Sequence, residues 1–312
     1  MKQYIGIDLG GTNIEGAVVE ETGLVLARCT RPTRAEEGPS AVTESIAQMI
    51  SDLSGGRTIS GVGMGCPGTV DDERGLVVYA CNLGWVNYDV RTPLREKTGF
   101  SVRLVNDANA AALAEVLAGS ARGAQSAVVI TLGTGVGGGV VLGGKLLTGY
   151  SGAASELGHM VIAADGVPCA CGRRGCFESY ASATALIRMT REAMAAHPDS
   201  ALHRLARDAG GVDGRTAFAA WELGDAAGRA VVETYIRYLA IGLANVVNIF
   251  FPEALALGGG IAGQGEKLLA PLRRAVQAQE YGAAYTAKHP RIVCCALDGD
   301  AGVIGAALFS AQ

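Results

Sequence analysis

The stretch Tyr4-Ile5-Gly6-Ile7-Asp8-Leu9-Gly10-Gly11-Thr12-Asn13, continued by Ile14 to Glu20, reads as a short apolar strand, a glycine turn and a second strand. Backbone N–H groups in such a hairpin turn can converge on an anion, although the same residues would also make an ordinary hairpin. The pattern then returns. Val128 to Leu132 is another apolar strand, Gly133-Thr134-Gly135 another turn, and Val136 to Leu142 another apolar segment. A repeat of strand, Leu-Gly-Thr turn and strand implies two related halves facing one ligand.

Two other glycine patterns are set aside. Gly133-x-Gly135-x-x-Gly138 and Gly63-x-Gly65-x-x-Gly68 fit the dinucleotide fingerprint, which needs a helix opening directly after the glycines. Gly139 to Leu142 continues as strand and Pro67-Gly68-Thr69-Val70 reads as a turn, so neither qualifies. No G-x4-G-K-[ST] loop occurs.

Between the repeats, Pro39 to Leu53 has helical spacing at Val42, Ile46, Met49, Ile50 and Leu53, and Ile59 to Met64 returns to strand. Cys81-Asn82-Leu83-Gly84-Trp85 reads as a loop in which an amide and an aromatic would suit a polyol, or in which Asn82 closes a turn. Val102 to Val105 is a strand ending in Asn106-Asp107, and Ala108 to Leu117 is an Ala-rich helix. Asp107 thus falls at a strand's carboxyl end and a helix N-terminus, where open α/β sheets place their chemistry. An ordinary N-cap is the competing reading. A carboxylate there can accept the proton of a hydroxyl attacking a γ-phosphate, and the helix N-terminus is expected to keep it ionised. Asp8, ending the first strand, is the matching candidate to hold Mg2+ through water.

Glu156 to Glu178, ELGHMVIAADGVPCACGRRGCFE, holds three of the eight cysteines, Cys169, Cys171 and Cys176, with His159 upstream. Three thiolates and an imidazole complete the closed shell of a structural zinc; reduced, unligated cysteines are the plainer alternative. A metal here would also fix the direction of Glu156 and Glu178.

Composition narrows the remaining classes. The chain has 312 residues, 49% of them hydrophobic, enough for a large core in two lobes, and a net charge of −4 that does not suit a nucleic-acid surface. Asp8 interrupts the N-terminal apolar stretch, so no signal peptide is expected. The uncharged run Ala127 to Gly144 contains seven glycines and reads as strands and turns, not a membrane span. Clustered cysteines without an export signal fit a reducing cytoplasm. Farther on, Thr184 to Ala195 reads as a helix, whereas Asp199 to Gly214 is polar and irregular. Gly228 to Ile249 reads as a long helix whose stripe Val231, Tyr235, Leu239, Leu243, Val246 and Phe250 belongs to core or subunit interface. Leu255 to Leu257 leads through Gly258-Gly259-Gly260 toward a helix, Cys294 and Cys295 read as core thiols in a short strand, and Asp300 to Phe309 closes the chain as a helix.

Taken together, the chain resembles the ROK family of repressors and sugar kinases, within the sugar-kinase/actin-like ATPase superfamily. The resemblance spans nearly the whole chain. It rests on Asp8 to Asn13, Cys66-Pro67-Gly68, Asn82 to Trp85, Val105 to Ala110, Leu132 to Gly139, Glu156-Leu157-Gly158-His159 and Cys169 to Glu178. It implies a two-lobed α/β fold of the actin-like ATPase (ribonuclease H-like) type, with duplicated βββαβα units and a structural zinc loop at 156–178. Residues 1–118, completed by the helix at 300–312, would form the smaller lobe and 119–299 the larger, with ligand in the cleft.

By the same resemblance Asp107 is the catalytic base, and Gly68, Asn82, Asn106, Glu156, His159 and Glu178 hold the sugar. The phosphates and adenosine of ATP would lie against Gly10, Gly11, Thr12, Asn13, Gly133, Thr134, Gly135, Gly137, Gly138, Gly258, Gly259 and Gly260. Zinc would take His159, Cys169, Cys171 and Cys176. The implied activity is ATP-Mg2+-dependent phosphorylation of a hexose at its primary hydroxyl, with glucose first because Asn82 to Trp85 resembles the glucokinase branch. N-acetylmannosamine, N-acetylglucosamine, allose and fructose share the framework. The family also implies a homodimer; the charge balance and the glycine-rich uncharged run lead to the expectation of neither nucleic acid nor membrane as partner. A sugar-sensing repressor would need a DNA-binding segment ahead of the first strand, which begins at Tyr4. A non-catalytic zinc-stabilised sugar-binding protein is the remaining alternative.

Overall fold

The computed structural model describes residues 1–312. The strands, in chain order, are β1 (Gln3–Leu9), β2 (Asn13–Glu20), β3 (Val25–Pro32), β4 (Ile59–Cys66), β5 (Thr69–Asp71), β6 (Leu76–Ala80), β7 (Trp85–Asp89), β8 (Val102–Asn106), β9 (Ser126–Leu132), β10 (Val136–Leu142), β11 (Lys145–Leu146), β12 (Ala254–Gly258) and β13 (Arg291–Cys294). The helices are α1 (Pro39–Ser54), α2 (Arg91–Thr98), α3 (Asp107–Leu117), α4 (Glu178–Ala181), α5 (Ala183–Ala196), α6 (Leu202–Asp208), α7 (Thr216–Glu222), α8 (Ala226–Phe250), α9 (Glu266–Gln277) and α10 (Ala301–Phe309).

One five-stranded sheet has the order β3-β2-β1-β4-β8 and another the order β11-β10-β9-β12-β13. Both read third, second, first, fourth, fifth in their own chain order once the three-stranded β5-β6-β7 sheet is set apart. The sequence repeat is therefore a repeat of topology. In the first sheet β1 is antiparallel to β2 and parallel to β4, and Asp8 opposite Glu15 and Leu9 opposite Ile14 fix the hairpin register. A strand paired on both sides and covered on both faces reads as a nearly continuous apolar run, as Tyr4 to Leu9 does.

The contacts divide the chain into two compact units, one of residues 1–127, 139–155 and 296–312, the other of 128–138 and 156–295. In the first unit α1 lays Val42, Ile46, Met49 and Ile50 on β2, β3 and β1, and Trp85 is buried in this core beside Tyr88, with ring centroids 4.8 Å apart. Trp85 is thus a packing residue, contrary to the expectation that it joins Asn82 in a ligand loop; Asn82 remains exposed on a short 3-10 turn, Cys81–Leu83. On the other face of the sheet α10 sits in backbone contact. A Cβ on Gly6 would stand 1.8 Å from the Val303 carbonyl oxygen, and one on Gly63 1.9 Å from that of Ala306.

In the second unit α8 is long and apolar enough to cross a membrane, yet most of its apolar segment is buried inside the unit. Val231, Tyr235, Leu239, Leu243 and Val246 are all core, and the Tyr235 hydroxyl donates to the Ala181 carbonyl at 2.6 Å. Three local readings change. The stretch 199–214 contains α6, nucleated behind the Asp225 and Ser200 side chains that satisfy its first backbone groups. Phe250 is only half-buried at the C-terminal end of α8. Cys294 and Cys295 are likewise half-buried because β13 is an edge strand.

Candidate active site

Within the first unit, the expected groups converge on the carboxyl ends of β1, β4 and β8. Gly10 N–H donates to the Asn13 carbonyl at 3.0 Å, closing the first glycine turn. The turn is held from β3's end by Thr33, whose N–H donates to the Thr12 carbonyl at 2.8 Å and whose hydroxyl donates to the Gly10 carbonyl at 2.6 Å. Thr33 is 1% exposed. A buried Thr with both polar groups committed to the turn is a residue that sequence reading missed, since nothing in Pro32-Thr33-Arg34 signals a long-range contact.

Asn106, not Asp107, caps α3. Its Oδ1 accepts from the Asn109 N–H at 3.1 Å, and its Nδ2 donates to the Gly68 carbonyl at 2.9 Å. This division of labour matters, because Asp107 becomes the first helical residue and one of its carboxylate oxygens is left over. Only Oδ1 takes an internal bond, from the Ala108 N–H at 2.8 Å. Gly68 has φ +82°, and a Cβ there would stand 2.1 Å from the Tyr79 carbonyl oxygen, so the turn that meets Asn106 requires glycine.

The electrostatics of Asp107 differ from expectation. The helix N-terminus alone would keep it readily ionised; instead its carboxyl is raised above the ordinary value, burial first, with the Ala108 and Asp107 N–H groups and Asn106 pulling back. Water reaches the side chain, which is exposed in the free chain. The surrounding protein nonetheless displaces enough solvent to outweigh one helix turn's dipole. Asp8, half-buried, is pushed up to about 6 by burial, then by the charges of Asp107 and Glu15. Beside them burial pushes the Cys66 thiol far up, so it stays protonated. The approach of α10 is again close: a Cβ on Gly302 would lie 2.1 Å from Asp8 Oδ2.

In the second unit Gly133 N–H donates to the Gly135 carbonyl at 3.0 Å, closing the second turn. The start of α5 holds it: Ala183 N–H donates to the Gly133 carbonyl at 2.8 Å and the Thr184 hydroxyl to that of Thr134 at 2.8 Å. Gly259, at φ +83°, lies against the neighbouring strand β9, where a Cβ would stand 2.5 Å from the Leu132 carbonyl oxygen. The glycine segments 133–135 and 258–260, remote in sequence, are therefore neighbours. Gly138 packs on Leu157, next to Glu156, which precedes the short 3-10 turn Leu157–His159.

His159 Nδ1 is 3.7 Å from Cys169 Sγ, and Cys171 Sγ is 3.7 Å from Cys176 Sγ. All four ligand atoms lie within 4.8 Å of one another. A tetrahedral zinc with Zn–S of about 2.3 Å sets its sulfurs about 3.8 Å apart, so the cluster fits the ion. The loop is turned by Gly175, whose Cβ would sit 1.7 Å from the Ala163 carbonyl oxygen. Glu178 then bridges two functions. Its Oε2 accepts from Val136 N–H at 3.0 Å, just past the second turn, while its Oε1 accepts from Cys169 Sγ at 3.7 Å.

Duplicated sheets, two glycine turns and paired Asp carboxylates define a sugar-kinase/actin-like α/β protein, and the loop of one histidine and three cysteines narrows the class. The chain matches the ROK family over residues 4–312, and it belongs to that family. It is 40% identical over 306 residues to the glucokinase of Thermotoga maritima, covering 98% of this chain and 96% of that one. Among solved structures it is similar to a ROK-family glucokinase from Streptomyces griseus in complex with glucose and AMPPNP (34% identity, TM-score 0.82, 99% of each chain). The ROK hexokinase of Thermus thermophilus is similarly related (35% identity, TM-score 0.84, 99% of this chain and 98% of that one).

Proposed function

We propose that the protein is an ATP-dependent hexose kinase that transfers the γ-phosphoryl group to the 6-hydroxyl, with glucose as acceptor. The observation that carries this reading is the pair Asp8 and Asp107, both raised, at the ends of β1 and β8 beside the first glycine turn. Asp107 has a free carboxylate oxygen to take the hydroxyl proton as the new O–P bond forms and the bond from γ-phosphorus to ADP breaks. A carboxyl raised above the ordinary value is a better base than a free Asp. Asp8 would hold Mg2+ through water; the metal supplies charge neutralisation to the phosphates. In this reading residues 1–118 with 300–312 carry base and metal, and 119–299 carry the zinc loop and the second turn.

Asn82, Asn106, Glu156, His159 and Glu178 are assigned to the sugar hydroxyls, with Gly68 beside Asn106. The turns at 10–13 and 133–138 are assigned to the phosphates, and 258–260 to the adenosine side. Zinc on His159, Cys169, Cys171 and Cys176 is structural, since four protein ligands leave no position for water. It would fix the loop that runs into Glu178, and as a zinc-bound thiolate Cys169 would no longer donate to that carboxylate.

The test is ADP release with ATP-Mg2+ against glucose, N-acetylmannosamine, N-acetylglucosamine, allose and fructose. Glucose is expected to give the highest kcat/KM. A tenfold preference for another hexose overturns the assignment of acceptor, and turnover with none overturns the kinase reading.

A further inference from the structure

A cavity of the first unit lies at the free edge of β8 and meets the groups above only at Asn106. It has a volume of about 1030 Å³ and is walled by β5, β8, the segment 144–152 and the end of α10. Sites for small organic ligands run to roughly 300–1,000 Å³, so this one has room for something larger than a hexose.

Its lining carries a buried polar group without a partner. Asn109, 2% exposed, lines the cavity from α3 with its amide oxygen buried and without a hydrogen-bond partner. A buried amide left unpaired costs about 1–3 kcal/mol, which a bound ligand's hydroxyl would recover. The second contribution is backbone. On the edge of β8, the Val102 carbonyl accepts from Arg91 Nε at 2.7 Å and Leu104 N–H donates to Asp72 Oδ1 at 2.7 Å. Alternate residues of a strand turn both backbone groups to the same edge, so the Leu104 carbonyl and the Asn106 N–H face the cavity side.

Charge selects among ligands. Asp72 is saturated by Arg91, Arg103 and Leu104, and its bond from Arg103 Nε at 2.6 Å neutralises that cation. Lys145 shares the lining with Asp71 and Glu73, leaving no net positive field for a phosphate. Donors, acceptors and both signs of charge together suit hydroxyls, each of which donates and accepts. Two flat faces complete the wall: the Arg103 guanidinium stacked 4.7 Å over the Phe309 ring, and the fully exposed Tyr150 at the rim.

We propose that this cavity is a second saccharide site, taking a neutral polyol of disaccharide size. It is not the acceptor site, yet it touches its scaffold. The Asn109 N–H that donates to Asn106 Oδ1 at 3.1 Å joins the cavity to the cap that precedes Asp107. Occupancy therefore changes the KM for hexose.

The experiment is calorimetric titration of the full chain at saturating glucose with maltose, sucrose and glucose 6-phosphate as probes. One disaccharide per chain is expected to bind, at least tenfold more weakly in Asn109→Leu, severalfold more weakly in Tyr150→Ala, and unchanged in Asp107→Asn. Asn109→Leu should melt no lower than the parent, since its amide oxygen has no bond to lose; should it fail to fold, Tyr150→Ala carries the test. Absence of disaccharide binding, binding that glucose displaces, or binding of glucose 6-phosphate alone overturns the proposal. Disaccharide binding without hexose turnover upholds this site while removing the kinase reading.

Discussion

The two glycine turns are built alike and held differently. The turn at 10–13 is braced by the buried Thr33 and stands beside two raised carboxylates, Asp8 and Asp107. The turn at 133–135 is braced by the start of α5 and by Glu178, which reaches from the zinc-type loop. Duplication thus repeats the phosphate-type turn, while the residues that arrive from elsewhere in the chain make one copy acidic and reactive and the other rigid and metal-linked.

If the second turn depends on the metal loop, stripping the metal has the largest effect. Cys176→Ser, or prolonged chelation, is expected to lower the melting temperature by more than about 10 °C and to remove most turnover, as for closed zinc sites that contribute to folding outright. Metal analysis should give one zinc per chain in the parent; a folded, active protein without zinc would break the contrast between the turns.

The acidic copy makes predictions in pH. Asp107 must be deprotonated to act, and its carboxyl is raised, so kcat/KM should rise with pH through a value above the ordinary 3.8 of an Asp. An acid limb at or below 3.8 would contradict burial as the dominant influence. Asp8 is raised from 3.8 to about 6, so its ionisation disfavours the folded state: no penalty below 3.8, an increasing one up to about 6, and the full one above. Asp8→Asn should therefore stabilise the ligand-free protein by about 2 kcal/mol at pH 7 and hardly at all at pH 4. Equal effects at both pH values, read from denaturant melts, would remove Asp8 from the acidic pair.

The smallest effect sharpens the bracing of the first turn. Thr33→Val keeps the shape and loses the hydroxyl bond to Gly10, for about 1–2 kcal/mol of stability. The KM for ATP should rise severalfold while kcat changes little. An unchanged KM would mean that the turn keeps its form without Thr33.

What was legible in the chain followed from local pattern. Alternating apolar runs and glycine turns gave both hairpins, and the close spacing of Cys169, Cys171 and Cys176 gave the loop whose thiols and His159 do meet. What was not legible depends on distant groups. Trp85 looked like a ligand aromatic because its neighbour is Asn82, but burial beside Tyr88 decides its role. Asp107 was legible as the base candidate with an N-cap as its competing reading; Asn106 takes the cap, and the raised Asp107 carboxyl reflects crowding that no window of sequence contains. The shared topology of the two sheets was foreshadowed by the repeat, whereas Thr33 and Glu178 as braces were not.

The central claim is that Asp107 takes the proton of the acceptor hydroxyl. It is tested most directly by comparing the parent with Asp107→Asn for transfer of labelled γ-phosphate to glucose, alongside glucose affinity measured without ATP. The account predicts label at the 6-position, turnover lower by about 10²–10⁴-fold in the variant, and glucose affinity within a few-fold of the parent, because the amide keeps the hydrogen bond and cannot take the proton. Turnover in Asp107→Asn within a few-fold of the parent would contradict it.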